Sequence, residues 1–310
     1  MNRIERVYKA IRHQPGAGIP TGELTMDRAF MEALLMWKCR CTAAKTMTMI
    51  ELLIECAHLL DHDVVCLPSA VAHGSDNVPA AAIDRIAAAG FFVFWIEDGA
   101  FQRTLQRHDF MAFMQAVAGQ PEAAAAEITK ASPTVVENIR QAVALGAHGI
   151  LLAEDIAYQH STYVSPTFGN RHLVPLWRDQ TEAAAAAGAP IFFHSDGNLN
   201  QFLPLIVAAG FDGLQGIEPA ASMDIFTIRQ THGRDLCLMG NLDPALLCDP
   251  SVDKGSGEEA LDQAVSDLLQ AFQESGGLIL GTCSGLHAGM SPQRVWRMTE
   301  GIQALTQSGN

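Results

Sequence analysis

Short apolar runs of strand length alternate along this chain with longer, alanine-rich segments whose apolar residues recur at helical spacing. The runs are Ile19 to Leu24, Asp63 to Leu67, Phe91 to Ile96, Gly149 to Ala153, Pro190 to His194, Gly213 to Ile217, Leu236 to Met239 and Gly277 to Gly281, eight in all. Between them, segments such as 121 to 146 and 258 to 275 carry one apolar stripe each and predict helices with one buried face. Ser256, with Glu259 three residues on, predicts the N-terminal cap of the second of these. Several helices end alike: AAAGF at 87 to 91, ALGAHGI at 144 to 150, AAAGAPI at 185 to 191 and VAAGFDG at 207 to 213 each place a glycine at the helix C-cap just before a strand. This punctuation predicts an α/β protein, a (β/α)8 TIM barrel. It occupies residues 1–310 as one domain with an N-terminal helical extension. An open doubly wound sheet would carry a Gly-rich phosphate loop after its first strand, and no GxGxxG is present.

A barrel presents its chemistry at the C-terminal ends of its strands. The residues expected there are Glu23; Ser69 and His73; Glu97 and Asp98; Glu154 and Asp155; His194 and Asp196; Glu218; Asn241 and Asp243; Cys283 and His287. Strand ends are also where chains turn polar, so any one of these fits a solvated loop. Together they put carboxylate, imidazole and thiol at one rim. Imidazole and thiolate are good zinc ligands, and a catalytic zinc takes three protein ligands and keeps one position open. His194 and Cys283 are the leading pair, with Asp196, Asp155, Glu154 or Glu218 as the third. Without a compact HExxH or CxxC, His194 fits a general acid or a hydrogen-bonded core histidine equally well, and Cys283 fits a small buried residue.

Composition narrows the partners. With 48% apolar and 17% charged residues, the chain has ample material for a core. A net charge of −14 argues against nucleic-acid binding, which needs a basic face. The apolar runs are too short for a membrane span, and MNRIERVYKAIRHQP has no signal-peptide apolar region. Seven cysteines without a CxxC predict reduced thiols and a cytoplasmic protein. Cys39-Arg-Cys41 is read as neither a disulfide nor a metal site, the aromatic run Phe91 to Trp95 as core, and Met47 and Met49 as gap fillers.

The stretches GFDGLQGIEPAASMDIFTIRQTHGRDLCLMGNLDP (210 to 244) and GGLILGTCSGLHAGMSPQRVWRM (276 to 298) resemble the uroporphyrinogen decarboxylase superfamily. So do the opening RIERVYKAIRHQPGAGIPTGEL and the middle LLAEDIAYQHSTYVSPTFGNRHLVPL, so that the resemblance covers almost the whole chain. It implies a distorted (β/α)8 barrel. The decarboxylase branch has an arginine-containing N-terminal loop that grips a polycarboxylated tetrapyrrole, and a histidine in a late GHG element. Here the loop is the acidic GELTMDRAFME, and Ser284 of TCSGLHAG falls roughly where that histidine would be. The resemblance is closer to the cobalamin-dependent methyltransferase branch, which carries a zinc site built from an HxC after strand five and a cysteine after strand eight. His194 matches the first position and Cys283 lies near the last, while Asp196 replaces the middle cysteine and makes a harder site.

The resemblance thus implies a zinc-dependent methyltransferase that moves a methyl group between a small methylated O, N or S compound and a corrinoid. Zinc is held by His194, Cys283 and Asp196 or another carboxylate. Asp155 and Glu154 act as further ligand or general acid. Tyr158, His160, Glu23, Glu218, Asn241 and His287 line the substrate pocket. No cobalamin-binding DxHxxG is present, so the corrinoid or cobalamin comes on a separate corrinoid protein. Two alternatives are a metal-free, decarboxylase-like lyase using Asp155, His194 and Glu218 on a small carboxylate, and a non-catalytic corrinoid-binding protein. Monomer and homodimer both remain open.

Overall fold

The computed structural model describes residues 1–16, 18–69, 79–248 and 258–308; His73 and Ser256 lie outside them. The chain divides into two compact units, Met1–Val93 with Cys237–Asn310, and Phe94–Leu236.

The first unit holds β1 (Gly22–Glu23), β2 (Val64–Pro68), β7 (Cys237–Leu242) and β8 (Leu278–Thr282), numbering only the eight long-range parallel strands. β1 pairs in parallel with β2 from Gly22 opposite Val64, and β8 pairs with β7 from Leu278 opposite Leu238 to Thr282 opposite Leu242. A parallel bridge between Thr21 and Leu280 joins β8 to the start of β1. β1 is shorter than its apolar run because Pro20 lacks the N–H a ladder needs, although its carbonyl still accepts from Leu280 N at 2.8 Å. β7 runs three residues beyond its apolar run. Pairing with β8 is a backbone property that the polar Asn241 does not interrupt.

The second unit holds β3 from Phe94 on (the whole strand is Phe92–Asp98), β4 (Gly149–Ala153), β5 (Ile191–His194) and β6 (Gly213–Gln215). These are continuous apolar runs because parallel strands are covered on both faces. The register sets Ala153 beside His194 and His194 beside Gln215. It thereby fixes which residues can meet at the C-terminal ends. Phe94, Phe192, Phe193 and Trp177 are buried here, with Trp177 edge-on to Phe193 at 5.1 Å and Phe193 edge-on to Phe211 at 5.2 Å. Each such side chain contributes roughly 1.5–3 kcal/mol on burial.

The helix Pro121–Ala144 buries Ala124, Ile128, Ala131, Val135, Ile139 and Ala142, the stripe its sequence carries. Its first turn starts at a proline, whose missing N–H would have no partner there anyway. The helix Glu258–Phe272 buries Leu261, Val265, Leu268, Leu269 and Phe272 in the same way. The glycines expected to end helices, Gly90, Gly146, Gly188 and Gly210, all have positive φ, from 81° to 102°. Phe91 to Trp95 are core, and no disulfide joins the cysteines. Among the described residues no helix is long and apolar enough to cross a membrane.

Candidate functional site

β4 and β5 of the second unit end side by side, and the residues just past them converge. Asp155, His194 and Asp196 each offer a ligand atom, and these atoms lie within 4.8 Å of one another. His194 Nε2 stands 3.6 Å from Asp155 Oδ1, and the backbone N–H of Asp196 donates to the same oxygen at 3.4 Å. His194 is buried, Asp155 half-buried and Asp196 exposed, so the group grades from core to rim. Protein packed around the Asp196 carboxyl raises its pKa; His194 pulls it down and Asp155 pushes it up again. Two carboxylates this close repel unless a cation or a proton sits between them. His194 Nδ1 is buried and makes no hydrogen bond to the protein. A histidine flanked by two oxygen donors is a donor set suited to zinc, and harder than one with thiolates.

The surrounding backbone is locked around this group. Ser195 Oγ accepts from Ile156 N at 3.1 Å and donates to Asp196 O at 2.8 Å, tying the end of β5 to the loop after β4. Glu154 N donates to His194 O at 2.9 Å. Gly197 N donates to Glu218 Oε2 at 2.8 Å, which gives Glu218 a part in shaping the turn after β5. Gly197 has φ +85°, and a Cβ there would lie 2.7 Å from the backbone of Tyr158. Gly197→Ala is therefore expected to lose about 1–3 kcal/mol of stability from strain at that φ. Displacing the Tyr158 loop should also lower any activity of the site; equilibrium urea unfolding and a turnover assay on the same variant check both.

The two adjacent carboxylates after β4 part company. Asp155 joins the cluster, whereas Glu154 is fully buried, with Oε1 accepting from Trp177 Nε1 and Oε2 from Gln102 N, both at 3.0 Å. Burial raises the Glu154 pKa to about 7 against the lowering effect of these hydrogen bonds, and Asp155 adds to the rise. Glu97, another rim candidate, is likewise buried, accepting from Trp95 Nε1 at 3.2 Å, from Asn138 Nδ2 at 2.9 Å and from Arg103.

The loop after β4 continues into a small hairpin pairing Ala157–Tyr158 with Ser161–Thr162. It exposes Tyr158 and His160. Tyr163, which the sequence did not single out, stacks on Tyr158 with ring centroids 5.5 Å apart, and Phe110 meets Tyr163 edge-on at 5.1 Å. All three rings are more than a third exposed. Burial raises the Tyr163 pKa, and the charges of Asp155, Tyr158 and Asp196 raise it further.

The remaining expected site residues belong to the first unit. Cys283, directly after β8, is buried, and its backbone N–H donates to Leu242 O at 3.1 Å. Glu23 is buried and accepts from Thr282, from its N–H and from its hydroxyl. Asn241 holds φ +82°, a conformation asparagine tolerates better than most residues. His287 is exposed, and its Nδ1 accepts from Gly289 N at 3.2 Å.

The family model for uroporphyrinogen decarboxylase (URO-D) matches residues 104–305, well over half of the chain and all of the cluster. The chain belongs to the uroporphyrinogen decarboxylase family. Two similar uroporphyrinogen decarboxylases, from Shewanella sp. (strain W3-18-1) and Shewanella putrefaciens, are each 22% identical over 215 residues, covering 69% of this chain and 56% of the relative. The chain thus spans about half the length of the curated relatives it matches. Among solved structures, a methyltransferase from Methanosarcina mazei superposes with a TM-score of 0.75 at 15% identity, covering 98% of this chain and 99% of the other. An L-ribulose 3-epimerase superposes with a TM-score of 0.52 at 14% identity, over 84% and 89% of the two chains. At these identities the likeness speaks to fold, and the fold is the (β/α)8 barrel of the uroporphyrinogen decarboxylase family, an enzyme family.

Proposed function

We propose that this member of the uroporphyrinogen decarboxylase family is a zinc-dependent methyltransferase. It moves a methyl group between a small methylated O, N or S compound and the cobalamin of a separate corrinoid protein. The observation that carries this reading is the convergence of Asp155, His194 and Asp196 at the ends of β4 and β5. These three would hold the metal; Cys283 is proposed as a ligand on the family resemblance alone. When bound, zinc supplies Lewis acidity toward the heteroatom that carries the methyl group.

The rest of the work falls to the chain's own side chains. Held as a ligand, Asp155 is not free to act as general acid, so the departing heteroatom takes its proton from solvent at the exposed Asp196 edge of the cluster. Tyr158, Tyr163 and Phe110 form an aromatic wall that excludes water from the methyl group and packs against it. Glu154 is a positioning residue, since its hydrogen bonds to Trp177 and Gln102 fix the end of β4. Glu218 positions the turn after β5 through Gly197 N. His160, Asn241 and His287 are the remaining pocket residues that the family resemblance implies; Glu23, its carboxyl engaged by Thr282, lines a cavity of the first unit instead. With Asp196 where the family resemblance implies a cysteine, the site is harder, and oxygen and nitrogen compounds are better suited than thiols.

The test incubates zinc-loaded protein with cob(I)alamin and a panel of O-, N- and S-methyl compounds and follows methylcobalamin by absorbance. In the reaction the carbon–heteroatom bond breaks, the methyl joins cobalt with the cob(I)alamin electron pair, and the heteroatom takes up a proton. Methylcobalamin formation that stops on chelation is the expected result. Carbon dioxide release from a small carboxylate, undiminished by chelator and without any methyl transfer, overturns the proposal in favour of the metal-free lyase.

A further inference from the structure

The first unit contains a cavity of about 650 Å³ beside the N-terminal ends of β1 and β2, made entirely of that unit's residues and independent of the Asp155 cluster. Its volume is that of a small-molecule site. Leu60, Leu269, Leu280, Met298 and Ile302 supply its apolar walls.

Its polar lining is unevenly committed. Arg6 is engaged by Asp63, Nη1 to Oδ1 at 2.7 Å, and Asp63 Oδ2 also accepts from Thr21 N at 3.0 Å. Asp61 is engaged by Arg3 at 2.8 Å. Glu23 and Glu274 then leave the lining side chains with an excess of carboxylate, Glu23 buried and Glu274 exposed. His62 also lines the cavity; it is 3% exposed, and its Nδ1 has no hydrogen-bond partner. Burial drives the His62 pKa down to about 4, so the ring is neutral and one of its nitrogens can accept a proton donor. A buried polar atom without a partner is costly, and a ligand that reaches it offers the missing hydrogen bond. Glu23, with its pKa raised to about 7 by burial, lies where a nearby positive charge would ionise it.

We propose that this cavity is a second binding site, for a small organic ammonium ion with an apolar body, its charged nitrogen toward Glu23 and His62 and its hydrocarbon against Leu280, Met298 and Ile302. The carboxylate excess selects against carboxylates and phosphates, and the apolar walls select against inorganic cations.

The experiment is calorimetric titration of the full chain with n-hexylammonium, n-hexanol and n-hexanoate. The variants are Glu23→Gln, Ile302→Trp, Thr306→Trp and Asp155→Ala, each checked for folding by circular dichroism. Thr306→Trp fills the cavity from a half-exposed helical position, so it tests occupancy even if a buried variant fails to fold. Hexylammonium should bind one per chain, more tightly than hexanol, with hexanoate weakest. Binding should weaken about tenfold, the equivalent of 1.4 kcal/mol, in the cavity-filled and Glu23 variants and stay unchanged in Asp155→Ala. No binding to the wild type, hexanoate binding at least as tightly as hexylammonium, or unchanged binding in folded Thr306→Trp each overturns it. A loss of methyl transfer in Asp155→Ala with cavity binding intact keeps this site separate from the proposed active site.

Discussion

His194→Ala is expected to remove bound metal and methyl transfer together. In the wild type, protein purified without added metal should carry about one zinc per chain, since a site of three protein ligands holds zinc through purification. His194 supplies the one nitrogen of the Asp155, His194 and Asp196 group and is its buried member, so its loss leaves two carboxylates near the surface with no soft donor. Altering residues that merely hydrogen-bond to a metal ligand typically costs about 10–100-fold in affinity, so deleting the ligand itself should exceed 100-fold. Elemental analysis of the purified variant then reads near zero, and turnover falls with it. Asp155→Ala should behave alike. Asp196→Cys, which restores a thiolate, should bind zinc more tightly than the wild type. The same measurement on Cys283→Ala decides whether the thiol after β8 is a ligand too. Full zinc content in both His194→Ala and Asp155→Ala would end the metal reading of this cluster.

The sequence paired His194 with Cys283 and left Asp155 and Glu154 among equivalent candidates for a third ligand; strand geometry explains why it could not tell these two apart. Period-two alternation turns consecutive side chains at a strand end to opposite sides. One of the two carboxylates had to enter the core and the other to reach the rim. Which did which depended on Trp177, some twenty residues on in a different helix, whose indole N–H fixes Glu154 inside. No local pattern carries that information. The eight strands and the glycines that end the helices were legible because each is set by neighbours in sequence, apolar runs in one case and a positive φ in the other. The end of β7 was not, because Gly240 and Asn241 break the apolar run while the backbone ladder with β8 continues. Tyr163 escaped notice for a similar reason. It stands one residue past a hairpin strand, and only folding brings its ring onto Tyr158. Glu23, read as a rim residue, turned out to be buried against Thr282, a partner from the far end of the chain.

Glu154→Gln should separate a positioning role for Glu154 from a proton-donating one through the pH dependence of stability. Burial raises the folded-state pKa of Glu154 to about 7, above the ordinary glutamate value it has in the unfolded chain. A raised carboxyl binds its proton more tightly when folded, so its contribution is fully present below the unfolded pKa and is lost as pH rises through the folded one. Each pKa unit is about 1.4 kcal/mol, so the wild type should lose on the order of 3 kcal/mol from this group between about pH 4.5 and 7. Glutamine cannot titrate, and it offers one acceptor oxygen where the two carboxyl oxygens meet donors from Trp177 and Gln102. One donor then faces an NH2 group, which should cost about 1–3 kcal/mol at pH 5. By pH 8 the wild type has lost its own advantage, and the gap should close or reverse. Glu23 and Asp63 also carry raised pKa values, but they are present in both proteins and cancel in the difference. Urea unfolding of the two proteins at pH 5 and pH 8 reads this directly. A gap of constant size would show that Glu154 does not change its charge on folding in this range. The positioning role also requires methyl transfer by the folded variant to fall without moving the pH optimum, because a residue that only holds the end of β4 in place does not set the proton inventory of the reaction.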